Sequence, residues 1–211
     1  MPTVTLNRAV FEKLVGKKLP YEQLKERISM LGTDLEKIEG DEIHVEIFPN
    51  RPDLLSEQGF ARAFSSFIGL KTGLREYTVK KSGVQVIVDK SVTMRPYSVC
   101  AIVKNVAFTD ERIREVVQIQ EKLAKTHGRD RKKSCYGLYP LGMIEFPVTY
   151  AALDPAKVSF QPLGFHEAMS AVKVEELHPK GKEYRWITQG WKKYPFYVDH
   201  KGRVLSMLPY T

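Results

Sequence analysis

The stretch FPNRPDLLSEQGFARAF, residues 48–64, joins two prolines and several polar side chains to an apolar helical pattern. Each proline holds the residue before it extended, and Pro52 suits the first turn of a helix. We expect Asn50 or Asp53 to cap that helix. Helical spacing then links a row of apolar residues up to a stop at Gly69, namely Leu54, Leu55, Phe60, Ala61, Phe64, Phe67 and Ile68. Local propensity explains the helix but not the polar cluster before it.

Length and composition limit the class of protein. A chain of 211 residues with 43% hydrophobic residues can bury a real core and fits one or two globular domains. No apolar run reaches the length of a membrane span, and the N-terminus lacks the hydrophobic region of a signal peptide. The chain has two cysteines, Cys100 and Cys135, and we expect them to be free thiols and not a disulfide. A zinc site is expected even less, because the two cysteines lack a matching histidine cluster. We therefore expect an intracellular, reduced protein.

Charge is unevenly distributed along a chain whose net charge is +8. Residues 1–60 carry 8 basic against 11 acidic side chains, whereas residues 61–211 carry 25 against 14. An excess of this size favours an acidic partner for the second part, with nucleic acid as the first candidate. The alternative is a basic surface that contacts only solvent.

The first 70 residues have the pattern of a small mixed domain. A strand at residues 3–6 leads into a helix capped by Asn7, and a second helix runs from Pro20 to Gly32. Two strands follow around a turn at Gly40–Asp41, and the helix after Pro52 closes the unit. The polar, glycine-punctuated stretch KTGLREYTVKKSG is then typical of a linker.

The second part begins with two strand-like stretches and a long helix. VQVIVD and YSVCAIVKNV, at residues 84–89 and 97–106, are rich in β-branched residues, which favours strands. The helix is predicted over residues 109–128, with Thr109 as its cap and Gly128 as its end. Its apolar stripe consists of Ile113, Val116, Val117, Leu123 and Ala124.

Short elements fill the rest of the chain. Several strands broken by prolines precede a weaker helix around residues 166–178. The stretch FYVDHKGRVLSML predicts a final hairpin that turns at Lys201–Gly202. The fold class predicted from this layout is α+β.

The sequence contains no standard catalytic motif. We find no phosphate-binding glycine loop, no HExxH and no G-x-S-x-G. The five histidines are scattered and are typical of surface or packing residues. Glu183 and Asp199 lack a spacing that would pair them as an acid and a base.

The strongest local signal is the basic run EKLAKTHGRDRKK at residues 121–133. Cations are favoured at a helix C-terminus in any protein, so a solvated helix end remains an alternative to nucleic-acid binding. Tyr136 and Tyr139 follow the run and could stack on bases. The candidate nucleic-acid-binding residues within it are Lys125, Arg129, Arg131, Lys132 and Lys133.

Five collinear stretches together resemble the N-terminal part of the phenylalanyl-tRNA synthetase beta subunit of the archaeal and eukaryotic type. They are MPTVTLNRAVFEKLVG, FPNRPDLLSEQGFARAF, RPYSVCAIVKNVAF, QIQEKLAKTHGRDRKK and VDHKGRVLSM. The resemblance runs through essentially the whole chain. It implies a small N-terminal domain at residues 1–75 and an editing domain of mixed α/β type at residues 84–211, incomplete at its C-terminal end.

The same resemblance assigns roles to residues. In the family, the editing domain hydrolyses tyrosine wrongly esterified to phenylalanine tRNA. By this resemblance Leu205 lines the pocket for the misattached amino acid, with Ser206 beside it and Thr211 near the rim. Asn50, Arg51 and Asp53 would fix a contact between segments and perform no chemistry.

The resemblance also implies partners and cofactors. We expect an alpha subunit in an α2β2 assembly in the cytoplasm, with phenylalanine tRNA bound. ATP and Mg²⁺ would serve the whole ligase. We expect this segment to bind neither of them, because no class II aminoacylation residues are visible in it. The chain could be a fragment of a longer protein or a truncated paralogue. A free-standing deacylase and a non-catalytic RNA- or protein-binding relative are the alternative functions.

Overall fold

The computed structural model describes residues 2–210 and every side chain among them except that of Glu111. The chain divides into two compact units. The first comprises the residues up to Thr78 together with Phe108–Arg129, and the second comprises Val79–Ala107 together with the residues from Asp130 onward. Both units combine helices with sheets, which confirms the α+β prediction.

The first unit contains a three-stranded antiparallel sheet in the order β1–β3–β2. Its strands are β1 (Thr3–Asn7), β2 (Asp34–Glu39) and β3 (Glu42–Glu46). Val4 lies opposite Val45, and Ile38 lies opposite Ile43. The apolar residues of β1 and β3 alternate with more exposed ones, so one face of the sheet is buried. The hairpin predicted around Gly40–Asp41 is confirmed.

Three helices pack with this sheet around one core. They are α1 (Arg8–Val15), α2 (Tyr21–Met30) and α3 (Glu57–Phe67), and a 3-10 turn at Pro52–Leu54 precedes α3. The core consists of Val4, Leu6, Phe11, Val15, Leu19, Leu24, Ile28, Ile43, Val45, Ile47, Leu54, Leu55, Phe60, Ala61 and Phe64. Each fully buried large side chain contributes about 1.5–3 kcal/mol. Phe11 also meets Phe60 and Phe64 edge-on, with ring centroids 5.9 and 5.2 Å apart.

Helix boundaries in the first unit follow the sequence closely. The Oδ1 of Asn7 accepts the N–H of Val10 at 3.1 Å, so Asn7 caps α1 as predicted. Helix α4 (Asp110–Lys125) is capped by Thr109, also as predicted, and its Leu123 packs against the first core. Its end differs from the prediction, because the helix ends at Lys125 and its C-cap is Thr126, two residues before Gly128.

The second unit contains a four-stranded sheet in the order β4–β5–β8–β9. The strands are β4 (Val86–Val88), β5 (Val148–Leu153), β8 (Tyr194–Val198) and β9 (Val204–Met207). β4 runs parallel to β5, and the other pairs are antiparallel. β8 and β9 form the predicted final hairpin. The short strands β6 (Ser159–Phe160) and β7 (Met169–Ser170) pair separately.

Two short helices, α5 (Ala171–Leu177) and α6 (Pro179–Thr188), follow β7. The helix predicted at residues 166–178 therefore starts later than expected, because Met169 and Ser170 belong to a strand. α6 was not predicted. The two helices approach closely at Gly181, where an added Cβ would lie 2.4 Å from the carbonyl oxygen of Val174.

The core of the second unit lies between these helices and the sheet. It consists of Ala171, Val174, Tyr184, Tyr194, Phe196, Met207 and Tyr210. A smaller cluster contains Val92, Tyr150 and Ala152. The carboxylate of Glu175 accepts hydroxyl hydrogen bonds from Thr188, Tyr194 and Tyr210 at 2.7–2.8 Å. These bonds satisfy polar groups that burial would otherwise make costly.

Residues 97–106 do not form the strand that the sequence predicts. They carry no helix or strand, because no neighbouring strand among the described residues pairs with them. Residues 71–83 also lack helix and strand, as predicted for that stretch. Cys100 and Cys135 are free thiols. None of the helices in residues 2–210 is long and apolar enough to cross a membrane.

Candidate functional site

Arg51 and Asp53 form a bidentate ion pair in the segment before α3. Nε and Nη2 of Arg51 donate to the two carboxylate oxygens of Asp53 at 3.0 and 2.9 Å. Nη1 of Arg51 donates to the carbonyl oxygen of Leu31 at 3.3 Å. The hydrogen bond from Arg51 holds the pKa of Asp53 below its usual range. Arg51 therefore ties this segment to the end of α2.

The predicted capping by Asn50 or Asp53 is wrong. Ser56 caps α3, since its hydroxyl accepts the N–H of Gly59 at 3.0 Å. The carboxylate of Asp53 is committed to Arg51, and Asn50 is exposed in the preceding turn. Gly59 is required at its position, because an added Cβ would lie 2.1 Å from the carbonyl oxygen of Asp53.

The basic run begins inside α4 and continues through three consecutive residues with left-handed backbone. Arg129, Asp130 and Arg131 have φ angles of 49°, 52° and 61°, which turn the chain sharply after α4. The structure places four of the five predicted tRNA-binding side chains on the surface: Lys125, Arg129, Lys132 and Lys133 are exposed. The fifth, Arg131, is half-buried.

Arg131 makes its contacts inside the second unit. Its Nη1 donates to the carbonyl oxygens of Pro209 and Tyr210, both at 3.0 Å. Its guanidinium lies 4.8 Å from the ring centroid of Tyr184, a cation–π contact. Nη1 of Arg95 in turn donates to the carbonyl oxygen of Arg131 at 2.8 Å. These contacts hold Arg131 in place, whereas the two lysines that follow it, Lys132 and Lys133, are exposed.

The predicted pocket residues lie on β9. Between the pairs Tyr197–Ser206 and Val198–Val204 the register shifts, so Leu205 is the extra residue of a β-bulge. Leu205 is half-buried and does not belong to any of the core clusters found within residues 2–210. Ser206 is buried, with 1% of its surface exposed. Thr211 lies outside the described residues.

Ser206 belongs to a chain of contacts between hydroxyl side chains; we call Ser98, Tyr139, Tyr150, Tyr197 and Ser206 the hydroxyl cluster. The hydroxyls of Ser98 and Tyr197 are hydrogen-bonded, and Tyr139 bonds to Ser206. Tyr150 stacks on Tyr197 with ring centroids 4.4 Å apart and donates to the carbonyl oxygen of Arg95 at 3.1 Å.

Burial weakens the acidity of these phenols. It raises the pKa of Tyr150 to about 12, and it also raises the pKa of Tyr139 and of Tyr197. All three phenols are therefore neutral donors and acceptors at neutral pH. Such a cluster can pair with a ligand's hydroxyl group. Sequence reasoning missed Ser98, Tyr150 and Tyr197, because no local pattern brings together residues so far apart.

Asp199 has a structural role in the turn of the final hairpin. Its carboxylate accepts N–H bonds from Lys201 and Arg203 and a 2.7 Å bond from the Arg203 guanidinium. Burial alone would raise the pKa of Asp199, but the bonds from Arg203 outweigh it and lower that pKa. Asp199 is therefore not poised as an acid or a base.

Two surface depressions lie away from the hydroxyl cluster. One, of about 380 Å³, lies in the first unit between Arg27 and Phe67. The other, of about 520 Å³, lies in the second unit between Ser159 and Leu177. Within residues 2–210, no three His, Cys, Asp or Glu side chains are grouped so that they could hold a metal ion.

Comparisons with known proteins give a consistent result. No family model matches the chain. Over 210 residues, 99% of this chain, it is 42% identical to the phenylalanine–tRNA ligase beta subunit of Archaeoglobus fulgidus. The corresponding subunit of Methanothrix thermoacetophila is also 42% identical, over 211 residues. The crystal structure of an N-terminal fragment of the Pyrococcus horikoshii beta subunit matches 99% of this chain with a TM-score of 0.89 and 32% identity.

The fold and these relatives together define a homologue of an aminoacyl-tRNA synthetase subunit. More particularly, the chain is homologous over nearly its whole length to the N-terminal region of the archaeal phenylalanine–tRNA ligase beta subunit. The chain spans 38% of the length of the Archaeoglobus relative, 39% of the Methanothrix relative and 62% of the Pyrococcus fragment.

Proposed function

We propose that the chain acts within a phenylalanine–tRNA ligase, where it contacts tRNA and edits tyrosine mischarged onto phenylalanine tRNA. The homology over 99% of the chain to beta subunits of this ligase carries the proposal. In the complete ligase an alpha subunit is the partner in an α2β2 assembly in the cytoplasm. ATP and Mg²⁺ serve aminoacylation, a reaction whose residues lie elsewhere.

Physical chemistry explains why such a ligase needs a second site. A pocket that accepts the phenylalanine ring rejects an analogue with one added hydroxyl by only about a hundredfold. A hydrolytic sieve must therefore recognise the phenol of tyrosine and reject phenylalanine. It can do so with a buried polar group that stays unpaired when phenylalanine binds, which costs about 1–3 kcal/mol.

The hydroxyl cluster and Leu205 supply suitable parts for this sieve. Ser206 is a buried hydroxyl, and Leu205 beside it is half-buried and free of the core clusters named above. The bulge at Leu205 points to a specialised position, because bulges often lie next to active sites and redirect side chains. Hydrolysis itself needs no triad: a positioned water, backbone N–H groups and the hydroxyl of the tRNA suffice.

The exposed basic side chains support the tRNA contact. Lys125, Arg129, Lys132 and Lys133 are exposed and have no carboxylate partner among the described residues. Each can neutralise one phosphate and release counterions, which makes affinity dependent on salt. Arg131 is assigned instead to the backbone of residues 209 and 210.

The deciding experiment measures deacylation of tyrosyl- and phenylalanyl-tRNA. The complete beta subunit assembled with its alpha partner should release tyrosine much faster than phenylalanine. The chain should be assayed alone in parallel, because release by the chain alone would identify a free-standing deacylase. Binding of tRNA without hydrolysis in either form would contradict the editing role.

A further inference from the structure

Helix α6 packs one stripe of its surface into the second unit and presents another to solvent. The buried residues recur at helical spacing and are Gly181, Tyr184 and Thr188. Lys182, Arg185 and Trp186 are three and four positions apart, so they are neighbours on the helix surface, and all three are exposed. We call these three residues the α6 face. It places two cations beside an indole ring.

Trp186 is exposed although tryptophan has a large apolar surface. The exposed fraction of Trp186 is 48%, whereas that of Tyr184 is 2%. Ile187 and Trp191 pack against the second core, but Trp186 belongs to neither the core nor its rim. Within residues 2–210, no aromatic ring stacks on Trp186 and no cation lies over it. The indole is therefore open to a flat ring from a ligand, and covering it would remove apolar surface from water.

The surroundings of Trp186 are strongly basic. Residues 179–193, PKGKEYRWITQGWKK, contain five basic side chains and one acidic side chain. That acid, Glu183, is paired with Lys180 at 3.2 Å. In the described part of the chain, no carboxylate oxygen lies within 4.0 Å of Lys182 or Arg185. The charge of the α6 face is thus not neutralised by the chain itself, which favours an anionic partner.

We propose that the α6 face binds unpaired nucleotides of an RNA strand. Trp186 stacks on a base, while Lys182 and Arg185 contact the flanking phosphates. Proteins bind single strands through this combination, because every base has a flat face and every linkage a negative charge. The proposal goes beyond the tRNA contact described above, since it names a second surface and a ligand for it. It depends neither on Lys132 and Lys133 nor on editing.

Other anionic partners fit the α6 face less well. A helix that lies on a membrane buries a whole apolar face, whereas in α6, every residue of which the structure describes, Trp186 is the one exposed large apolar side chain. An acidic polypeptide would satisfy the cations but would bring no base to stack on the indole. Unpaired RNA satisfies both the cations and the ring.

The test uses the fluorescence of Trp186 in the full chain. The chain has two tryptophans, so Trp191→Phe leaves Trp186 as the only one. An oligouridylate of about 10 nucleotides should quench its emission, because a base stacks on the indole. The same strand annealed to oligoadenylate hides its bases and should quench much less. No quenching by the single strand, or equal quenching by the duplex, overturns the proposal.

Matched variants show whether binding uses the α6 face, with affinity measured by the anisotropy of labelled oligouridylate. Trp186→Ala should weaken binding about tenfold, the loss of one stacked base. Lys182→Glu should weaken binding and flatten the salt dependence by about 0.7 for the phosphate that is no longer neutralised. Lys157→Glu is the control, because that side chain is 84% exposed in the same unit and outside the α6 face, and it should leave affinity unchanged. Unchanged affinity in Trp186→Ala overturns the proposal, and so does equally tight binding of oligoglutamate.

A further pair of variants separates the α6 face from the basic run. The double variant Lys132→Glu and Lys133→Glu should still show quenching of Trp186 by oligouridylate. If the double variant loses binding of the single strand while Trp186→Ala keeps it, the basic run binds the RNA. In that case the proposal for the α6 face is wrong, and the tRNA contact through Lys132 and Lys133 stands.

Discussion

The guanidinium of Arg131 holds the backbone of Tyr210, 79 residues away, by a hydrogen bond of 3.0 Å. The neighbouring carbonyl of Pro209 accepts a second bond from the same nitrogen. Arg131, near the end of the basic run, therefore holds the residues that follow β9. A side chain that the sequence predicted as a phosphate contact has a structural role in the second unit.

The first prediction separates these roles with Arg131→Lys. Lysine keeps the charge but lacks the planar fork and the stacking surface of the guanidinium. We expect the free energy of unfolding, measured in urea, to fall by about 1–3 kcal/mol. Affinity for tRNA and its salt dependence should not change. Unchanged stability together with weaker tRNA binding would instead make Arg131 a phosphate contact.

The second prediction concerns Lys132 and Lys133. Replacing both with Glu should weaken tRNA binding and flatten the plot of log affinity against log salt, by about 0.7–0.9 for each phosphate that is no longer neutralised. Lys157→Glu is the control, because that side chain is 84% exposed in the same unit and outside the basic run. If the salt slope equals that of the unmodified chain, Lys132 and Lys133 contact only solvent at the end of the helix and do not bind phosphates.

The third prediction concerns the start of α3. Ser56→Ala removes the cap and should cost about 0.5–2 kcal/mol of stability in urea unfolding. Asp53→Ala breaks only a partly exposed ion pair, with 44% of the Asp53 side chain exposed, and should cost about 1 kcal/mol or less. Ser66→Ala, the same change inside α3, is the control and should be neutral. A larger loss of stability for Asp53→Ala than for Ser56→Ala would indicate that Asp53, and not Ser56, caps α3.

Local signals predicted most elements of the first unit, whereas distant contacts decided the rest. Asn7 and Thr109 were predicted as caps because a cap acts on residues three positions away. The partner of Arg51 at Leu31 and the Ser98–Tyr197 contact join residues 20 and 99 positions apart, and no spacing reveals them. The prediction of a strand at residues 97–106 was wrong for the same reason, since a strand needs a partner that local sequence does not specify.

The fourth prediction concerns Tyr150, whose pKa burial raises to about 12. In the unfolded chain a tyrosine ionises near pH 10. The folded state therefore binds the proton more tightly, so stability is unaffected below about pH 10 and falls as pH rises from about 10 to about 12. Tyr150→Phe should reduce this alkaline loss, measured by urea unfolding at several pH values. An identical pH dependence in both proteins would exclude Tyr150 as its source.

The last prediction concerns Leu205, the residue of the β9 bulge. If Leu205 lines the editing pocket, Leu205→Ala should change the ratio of tyrosyl to phenylalanyl deacylation by about tenfold or more, since pocket volume sets discrimination. The measurement needs the complete subunit with its alpha partner. Thermal stability should change little, because Leu205 is half-buried and belongs to none of the core clusters within residues 2–210.

Val204→Ala is the matched control for Leu205→Ala, because Val204 is the preceding residue on β9 and packs against the second core. Its truncation should lower the free energy of unfolding by about 1 kcal/mol, because Val204 is only partly buried but packs against the second core, without changing the deacylation ratio. The two variants thus separate a pocket wall from a core side chain. If Leu205→Ala behaves as Val204→Ala does, losing stability but keeping the ratio, then Leu205 is a packing residue and the sieve lies elsewhere.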